Sequence, residues 1–133
     1  MTRGIWINIP VRDLDRSKLF FSKLGFEYNA KFTDDKAACM VINEHAGVML
    51  LREPFFKGFT KREQCNTATH TEALFAFSVD SRQAVEALFE RAIANGASEA
   101  MPPQDHGFMY ARSFYDLDGH HWEVLWMDPA AAQ

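Results

Sequence analysis

Near its C-terminal end the chain reads Asp116-Leu117-Asp118-Gly119-His120-His121-Trp122-Glu123-Val124-Leu125-Trp126. The first four of these residues predict a tight turn, because Gly accepts positive φ and an Asp side chain binds nearby backbone N–H groups. The rest predict a strand in which Glu123 lies between large apolar neighbours. A carboxylate in such a strand must face water, pair with a cation, bind a metal or line a cavity. The function of the chain depends on which of these Glu123 does.

The composition indicates one globular domain with ample material for a core. The chain has 133 residues, of which 47% are hydrophobic and 14% aromatic. A formal net charge of −4, from well-mixed acidic and basic residues, argues against a nucleic-acid partner, which would need a basic stripe to neutralise phosphates. Cys39 and Cys65 have no Cys-x-x-Cys spacing, and we interpret them as free thiols in a reducing compartment.

The N-terminal run Met1–Val11 does not have the pattern of a signal peptide. Asn8 and Pro10 interrupt its apolar residues, and charged residues follow it in place of a cleavage site. No stretch approaches the roughly 20 apolar residues that a membrane span needs. We therefore expect a cytoplasmic protein that makes no contact with a membrane.

The first half of the chain predicts the element order βαβββ. Ile5–Val11 has the pattern of a strand, and Asp13 is placed to cap a helix over Leu14–Leu24, with Gly25 as its left-handed C-terminal residue. The predicted apolar face of this helix comprises Leu14, Leu19, Phe20, Phe21 and Leu24. Three strand-like runs follow, Phe26–Phe32, Ala37–Ile42 and Val48–Arg52.

The second half repeats this order, which makes an internal duplication the simplest account. A strand over Leu74–Val79 precedes a helix that begins at Asp80 or Ser81, ends at Gly96 and presents Val85, Leu88, Phe89, Ala92 and Ile93. Three strand-like runs follow, Ala97–Met101, Met109–Tyr115 and His121–Met127.

These patterns predict one α+β domain of two modules, residues 4–53 and 73–128. Each module is a sheet with a helix on one face, and the two open faces are expected to enclose a cavity lined by alternate strand residues. The connecting segment, residues 54–72, is longer than a normal connection. It is either a lid or binding loop, or a linker packed on its own Phe side chains.

On these features the chain resembles the vicinal oxygen chelate superfamily, which includes glyoxalase I, bleomycin- and fosfomycin-resistance proteins and extradiol dioxygenases. The resemblance rests on the paired βαβββ modules, on the runs Asn8–Leu14 and Leu24–Phe26, and on Asp116–Glu123. Val48–Leu51 and Asp105–Arg112 carry a closer match to the subgroup described as predicted lactoylglutathione lyases. The resemblance implies a homodimer, but it does not fix the chemistry, because this superfamily hosts many reactions on one scaffold.

The resemblance also implies a divalent metal held by three or four His, Glu or Gln side chains on cavity-facing strand positions. In this chain those positions fall on Trp6, on Met49 or its neighbour Leu50, on Leu74 and on Glu123. An indole cannot ligate a metal, and a lone thioether is a poor ligand for a hard divalent ion. Only Glu123 keeps a suitable donor, so we predict no metal site and no cofactor, with Zn, Ni, Mn or Fe as the alternative.

The predicted ligand site is a largely apolar and aromatic pocket with a few polar groups, which is the usual make-up of a small-molecule site. If Glu123 faces the cavity, alternation places His121 and Leu125 on the same face of their strand. The pocket is then formed by Trp6, Asn8, Met49, Leu51, Leu74, Ala76, His121 and Glu123, with Phe56 or Phe59 closing it.

Glu123 and His106 are the candidate catalytic residues. Burial would raise the pKa of Glu123 and suit it to general-base work, but a salt bridge to Arg112, Arg52 or a dimer partner is an equal alternative. His106 could pair with Asp105 or with Glu123 as an acid–base pair.

Simpler interpretations of the histidines remain open. His106 could merely shape a turn, and His121 could be a solvated surface residue. His121 and Glu123 could supply two metal ligands on one strand, but they would need His106 or another group to complete a site. Alternation places Tyr110 and Arg112 on the helix side of the sheet or at an edge, away from the cavity.

Three functions follow from this pattern. The leading hypothesis is a metal-free pocket that binds a small apolar or aromatic molecule, as a sequestering or resistance-type protein. The alternative is a metal-dependent lyase, isomerase or dioxygenase of the glyoxalase type, similar to lactoylglutathione lyase. The third is an interaction module with a filled core.

Overall fold

The computed structural model describes residues 2–131, which form two compact units that meet in sequence between Gln64 and Cys65. This boundary lies within the predicted connecting segment. Both units combine a sheet with helices, as the sequence predicts for an α+β chain of two βαβββ modules. None of the three α-helices in residues 2–131 is both long and apolar enough to span a membrane.

The first unit contains four strands, two α-helices and a short 3-10 turn. The elements are β1 (Ile5–Val11), α1 (Leu14–Lys23), β2 (Glu27–Tyr28), the 3-10 turn (Ala30–Phe32), β3 (Ala37–Asn43), β4 (Ala46–Arg52) and α2 (Glu53–Lys57). The strand order in its sheet is β1-β4-β3-β2, with β1 parallel to β4 and the other neighbours antiparallel. The chain therefore makes β1 an edge strand of this sheet.

Helix α1 begins and ends where the sequence predicts. Oδ1 of Asp13 accepts a hydrogen bond from the backbone N–H of Arg16 at 3.1 Å, and Gly25 has a φ of 101°. Leu19 was wrongly assigned to the apolar face: it is 58% exposed, because it lies about 100° around the helix from Phe20. The buried residues of α1 are Leu14, Ser17, Phe20 and Phe21.

The second unit has five strands and one helix. They are β5 (Leu74–Ser78), α3 (Arg82–Ala94), β6 (Ser98–Glu99), β7 (Gln104–Asp105), β8 (Met109–Tyr115) and β9 (His121–Met127). The main strand order is β5-β9-β8-β6, and β7 also pairs with β8. Strand β5 is parallel to β9, just as β1 is parallel to β4 in the first unit.

Helix α3 is capped by Ser81, whose Oγ accepts from the backbone N–H of Ala84 at 3.0 Å. Gly96 follows the helix with a φ of 108°. Of the predicted apolar face, Ile93 is 38% exposed and does not belong to the core. The buried residues of α3 are Val85, Leu88, Phe89 and Ala92.

Two segments differ from the sequence prediction. The predicted strand Phe26–Phe32 is a strand only over Glu27–Tyr28, because the Asn29 side chain accepts from the backbone N–H of Lys31 and starts a 3-10 turn. The predicted strand Ala97–Met101 is likewise reduced to Ser98–Glu99.

The connecting segment also contains structure that the sequence did not reveal. Its first residues form α2, which has Pro54 in its first turn and lies against β1 and β4. Later in the segment, Oγ1 of Thr67 donates a hydrogen bond to the backbone carbonyl of Asp118. The segment is therefore not a uniform loop, and its two ends fold with different units.

Candidate functional site

The sheet of the first unit has one face covered by α1 and a second, open face that α2 covers only in part. Ile9, Val48 and Leu50 point toward α1 and are at most 4% exposed. Residues of the opposite parity occupy the open face, where Trp6 pairs in register with Gly47, and Asn8 with Met49. The open face therefore carries four of the predicted ligand-binding residues, Trp6, Asn8, Met49 and Leu51.

A pocket of about 360 Å³ lies on this open face. Its floor comes from the sheet, one wall from the 3-10 turn and the residues after it, and another wall from α2 and the residue beyond its end. The lining residues are Asn8, Lys31, Phe32, Thr33, Asp34, Ala37, Met49, Leu51, Phe55 and Phe59. The pocket is thus built within one unit.

Three phenylalanines supply the walls of the pocket. Phe55 and Phe59 pack edge to face with a ring-centroid distance of 5.1 Å, one helical turn apart, and Phe32 is 63% exposed at the end of the 3-10 turn. Phe59 lines the pocket as predicted, whereas Phe56 does not, because α2 turns it away by about 100° from Phe55. Phe55 was missed in the sequence, although Pro54 could have indicated the helix that positions it.

Some polar groups of the pocket already hydrogen-bond to the backbone, whereas others can bind a ligand. Asp34 Oδ1 accepts from the backbone N–H groups of Lys36 and Ala37, at 2.8 and 3.1 Å. Thr33 Oγ1 donates to the carbonyl of Asn29 and accepts from the N–H of Cys39. These two side chains build the wall. The exposed Asn8 amide and Lys31 ammonium remain as the groups suited to a ligand.

The open face of the second sheet carries the other predicted residues. Register places Leu74 beside His121, and Ala76 and Ser113 on either side of Glu123. Leu74 is 63% exposed, whereas His121 and Glu123 are half-buried. Trp122 and Val124 point the other way into the core, as alternation predicts.

Glu123 does not form the predicted alternative salt bridge to Arg112. Arg112 lies on the helix side of the sheet, where its guanidinium binds Glu86 at 2.7 Å and Glu99 at 2.9 Å and stacks on Phe89. Strand alternation separates the two, since Arg112 pairs with Val124 and its neighbour Ser113 pairs with Glu123.

His106 is exposed and lies far from Glu123 in the sheet. Its backbone N–H donates to the carbonyl of Met109, which pairs with Met127, four residues beyond Glu123. Four strand residues span roughly 13 Å, so the two side chains do not form a pair. Asp105, the other predicted partner of His106, instead binds Arg82 at 2.6 and 3.0 Å.

A pair formed by the buried His120 and the more exposed Glu72 in the second unit was not predicted. His120 is 1% exposed, and its Nδ1 lies 2.5 Å from Oε1 of Glu72. The Glu72 carboxylate also accepts a hydrogen bond from the thiol of Cys65. Burial and this nearby carboxylate both raise the pKa of that thiol. Alternation in the sequence places the neighbouring His121 on the same face as Glu123, which made it a candidate site residue. No local pattern in the sequence distinguishes His120.

Within residues 2–131, no group of three or more His, Cys, Asp and Glu side chains converges in a way that could hold a metal ion. At the four strand positions where the superfamily would supply ligands, Trp6, Met49 and Leu74 offer no hard donor atom. Glu123 is the exception. The residues present at these positions do not fit a divalent metal.

Solved structures similar to this chain share its fold. Hypothetical protein SA1046 from S. aureus is 26% identical, with 94% of each chain covered and a TM-score of 0.79. A glyoxalase/bleomycin resistance protein/dioxygenase family enzyme from Burkholderia phytofirmans PsJN is 17% identical, with 95% of this chain and 99% of that chain covered and a TM-score of 0.77. The fosfomycin resistance protein FosX from Listeria monocytogenes is 21% identical over 100% of both chains, with a TM-score of 0.70.

None of the curated proteins compared with this chain matches it. A sequence model of the Glyoxalase/Bleomycin resistance protein/Dioxygenase superfamily matches residues 5–124. The match includes both modules and the stretch from Asp116 through Glu123. The chain therefore belongs to the Glyoxalase/Bleomycin resistance protein/Dioxygenase superfamily.

Proposed function

We propose that the chain binds a small, largely apolar or aromatic molecule in the pocket of its first unit, without a metal, and acts by sequestering that molecule. The observation that carries this proposal is the lining of the pocket, where Met49 and Leu51 form the floor and Phe32, Phe55 and Phe59 form the walls. Apolar contact of this kind favours an apolar guest through the hydrophobic effect.

The size of the pocket supports the same proposal. Its volume of about 360 Å³ falls at the lower end of the range of small-molecule sites. The Asn8 amide and the Lys31 ammonium can orient a guest that has a hydrogen-bond acceptor or a negative charge. The open space also weighs against an interaction module with a filled core.

A thermal-shift screen tests this function directly. A ligand present at one hundred times its Kd stabilises the folded state by about 2.7 kcal/mol, which raises Tm by several degrees in a domain of this size. We expect aromatic carboxylates and related compounds to raise Tm, and Phe59→Ala to remove most of that increase.

Phe108→Ala is the matched control for Phe59→Ala. Phe108 is also a largely exposed Phe, at 50%, but it belongs to the second unit and does not line the pocket. The Phe108→Ala variant should leave the ligand-induced increase in Tm unchanged. If the two variants reduce the response equally, the ligand does not occupy the pocket and the proposal is wrong.

The rival proposal is a metal-dependent lyase, isomerase or dioxygenase of the glyoxalase type. It draws support from His121 and Glu123, which lie on the same open face of β9 with Tyr115 packed against His121 at a centroid distance of 5.4 Å. Elemental analysis of protein purified without a chelator or metal-binding tag separates the two proposals. Near-stoichiometric Zn, Ni, Mn or Fe that Glu123→Ala abolishes would favour the enzyme.

We further propose that the protein acts in the cytoplasm. Cys39 and Cys65 are both free thiols, which suits a reducing compartment. Fractionation of cells that express the protein at native level checks this proposal. Recovery in an oxidising compartment would contradict it.

A further inference from the structure

We infer that Trp6 is a stacking platform that selects a planar aromatic ring, and that it extends the pocket along β1. This inference rests on the proposed function and deepens it, because it names the class of molecule that the open face of the first sheet would bind. The class is an aromatic ring with a neutral acceptor or an anionic substituent. Four observations lead to it.

The indole of Trp6 lies directly on backbone. A Cβ atom added at Gly47 would lie 2.9 Å from Cδ1 and 3.0 Å from Nε1 of the indole, and one added at Gly4 would lie 2.5 Å from Cζ3 and 2.7 Å from Cη2. These distances are shorter than real contacts of a Cβ atom. The five-membered ring therefore rests on Gly47 and the six-membered ring on Gly4, so the two glycines hold both ends of the indole.

Although it is supported in this way, Trp6 remains 52% exposed. A Trp that served only the core would bury most of its surface, as Trp122 does at 1%. An aromatic surface that is held by backbone on one side and uncovered elsewhere loses little conformational entropy when a ring stacks on it. Offset stacking of a second ring is the favourable way to cover it.

The position of Trp6 makes the platform continuous with the pocket. Trp6 lies two residues from Asn8 on the same face of β1, a distance of roughly 7 Å, and Asn8 lines the pocket beside Met49. A ring on the indole can therefore carry a substituent that reaches the Asn8 amide.

The charges around the pocket decide between an aromatic ring and a cation as the occupant. A cation would also bind an indole face, but the pocket carries the Lys31 ammonium, which would repel it. The one carboxylate of the lining, Asp34, already accepts two backbone N–H groups through Oδ1. An aromatic ring with an anionic or acceptor group meets Lys31 and Asn8 favourably.

Binding of two matched probes tests the platform. 2-Naphthoate has a planar aromatic system, and cyclohexanecarboxylate has the same anionic group on a saturated ring. We expect calorimetry to show that Trp6→Leu raises the Kd for 2-naphthoate about tenfold, which corresponds to the loss of one stacking contact. The Kd for cyclohexanecarboxylate should change less than about twofold. Bound 2-naphthoate should also shield Trp6 from acrylamide quenching.

Gly4→Val provides a second variant in which the indole is chemically intact. Its side chain would displace the six-membered ring from its support, so it should reproduce the loss seen for 2-naphthoate. Ala130→Val is the control, because Ala130 is exposed in the second unit and does not line the pocket. Circular dichroism confirms that each variant is folded before binding is compared.

Several outcomes would overturn the inference. If 2-naphthoate does not bind the unmodified protein, or if Trp6→Leu weakens both probes equally, Trp6 is not a platform for aromatic rings. If aliphatic ligands still bind and depend on Phe59, the proposed function survives while the platform fails. If Trp6→Leu instead converts a dimer to a monomer with no effect on either probe, Trp6 belongs to a contact between copies of the chain.

Discussion

At the scale of single residues, Asp116 organises the turn that precedes β9. Its Oδ1 accepts from the backbone N–H groups of Asp118 and His120, and its Oδ2 accepts from the indole N–H of Trp122 at 2.9 Å. Asp116 is 7% exposed, and burial raises the pKa of its carboxyl group despite these donors. The sequence predicted that this Asp would bind backbone, but its bond to the buried Trp122 was not visible there, since it joins the turn to the core.

We expect Asp116→Ala to destabilise the protein by about 2–5 kcal/mol, because it removes the carboxylate that accepts from three buried donors. Denaturant unfolding followed by circular dichroism measures the change. Asp128→Ala is the control, since Asp128 accepts from the backbone N–H of Ala130 at an exposed turn and should cost less than about 1 kcal/mol. Equal losses in the two variants would contradict this role of Asp116.

Gly119 is required in the same turn for two separate reasons. Its φ is 84°, and an added Cβ atom would lie 2.8 Å from the carbonyl oxygen of Thr67. Gly107 also has a positive φ, of 80°, but an added Cβ atom there would meet open space. We expect Gly107→Ala to cost about 1–2 kcal/mol from the left-handed backbone, and Gly119→Ala to cost a further 1–3 kcal/mol, roughly, from the clash. Urea unfolding of both variants compares them, and equal costs would show that Thr67 simply moves away.

At the scale of elements, Arg82 joins the start of α3 to β7. Its guanidinium binds both carboxylate oxygens of Asp105 and the carbonyl of Gly107, and it lies over the rings of Tyr110 and Trp126. The pair with Arg82 lowers the pKa of Asp105 to about 2. The short strand β7 thus has an electrostatic link to α3 in addition to its pairing with β8.

This link predicts a dependence of stability on pH. The pKa of Asp105 in the folded state, about 2, lies below its ordinary value of 3.8, so the unfolded chain takes up the proton first on acidification. The stabilisation is present above about pH 4 and is lost as the pH falls toward 2. We expect the unfolding free energy of Asp105→Asn to decline less steeply over this range than that of the unmodified protein. Asp35→Asn, which changes an exposed carboxylate in the first unit, should keep the original slope.

The elements that could be predicted are those whose signals are local and repeated. Helices α1 and α3 have caps, apolar spacing and terminal glycines, and burial alternates along the first part of strand β9. Strand β2 ended early because the side chain of Asn29 competed with strand pairing. Helix α2 was missed because five residues show no periodicity, and its stability depends on contact with the sheet.

At the scale of the whole molecule, superfamily membership and the α+β architecture were predicted correctly, and part of the lining of the candidate pocket could be predicted, while its role in binding stays a prediction. Alternation along β1 and β4 placed Asn8, Met49 and Leu51 on the open face. The walls could not be predicted in the same way, since Phe32 and Phe55 reach the pocket through a 3-10 turn and a short helix. The enclosure of one cavity by both sheets, and the roles of Glu123 and His106, stay predictions.

We propose that the protein is a homodimer, as its resemblance to the superfamily implies. Strand β1 is an edge strand, and Ile5 is 60% exposed on the face opposite Trp6. We expect sedimentation equilibrium at micromolar concentration to give twice the chain mass, and Ile5→Lys to shift the protein toward the monomer. Leu19→Lys, at a similarly exposed Leu on α1, should leave the dimer intact. A monomeric unmodified protein would contradict the proposal.

The boundary between Gln64 and Cys65 has a practical consequence for how this gene could be divided. Gln64 Nε2 binds Glu53 in the first unit at 2.7 Å, whereas Thr67 and Glu72 bind Asp118 and His120 in the second. A cut at this point would leave every hydrogen bond named above inside one fragment or the other. The two halves, each with a complete sheet, can therefore be expressed separately, and the half that contains the pocket can be tested alone for ligand binding.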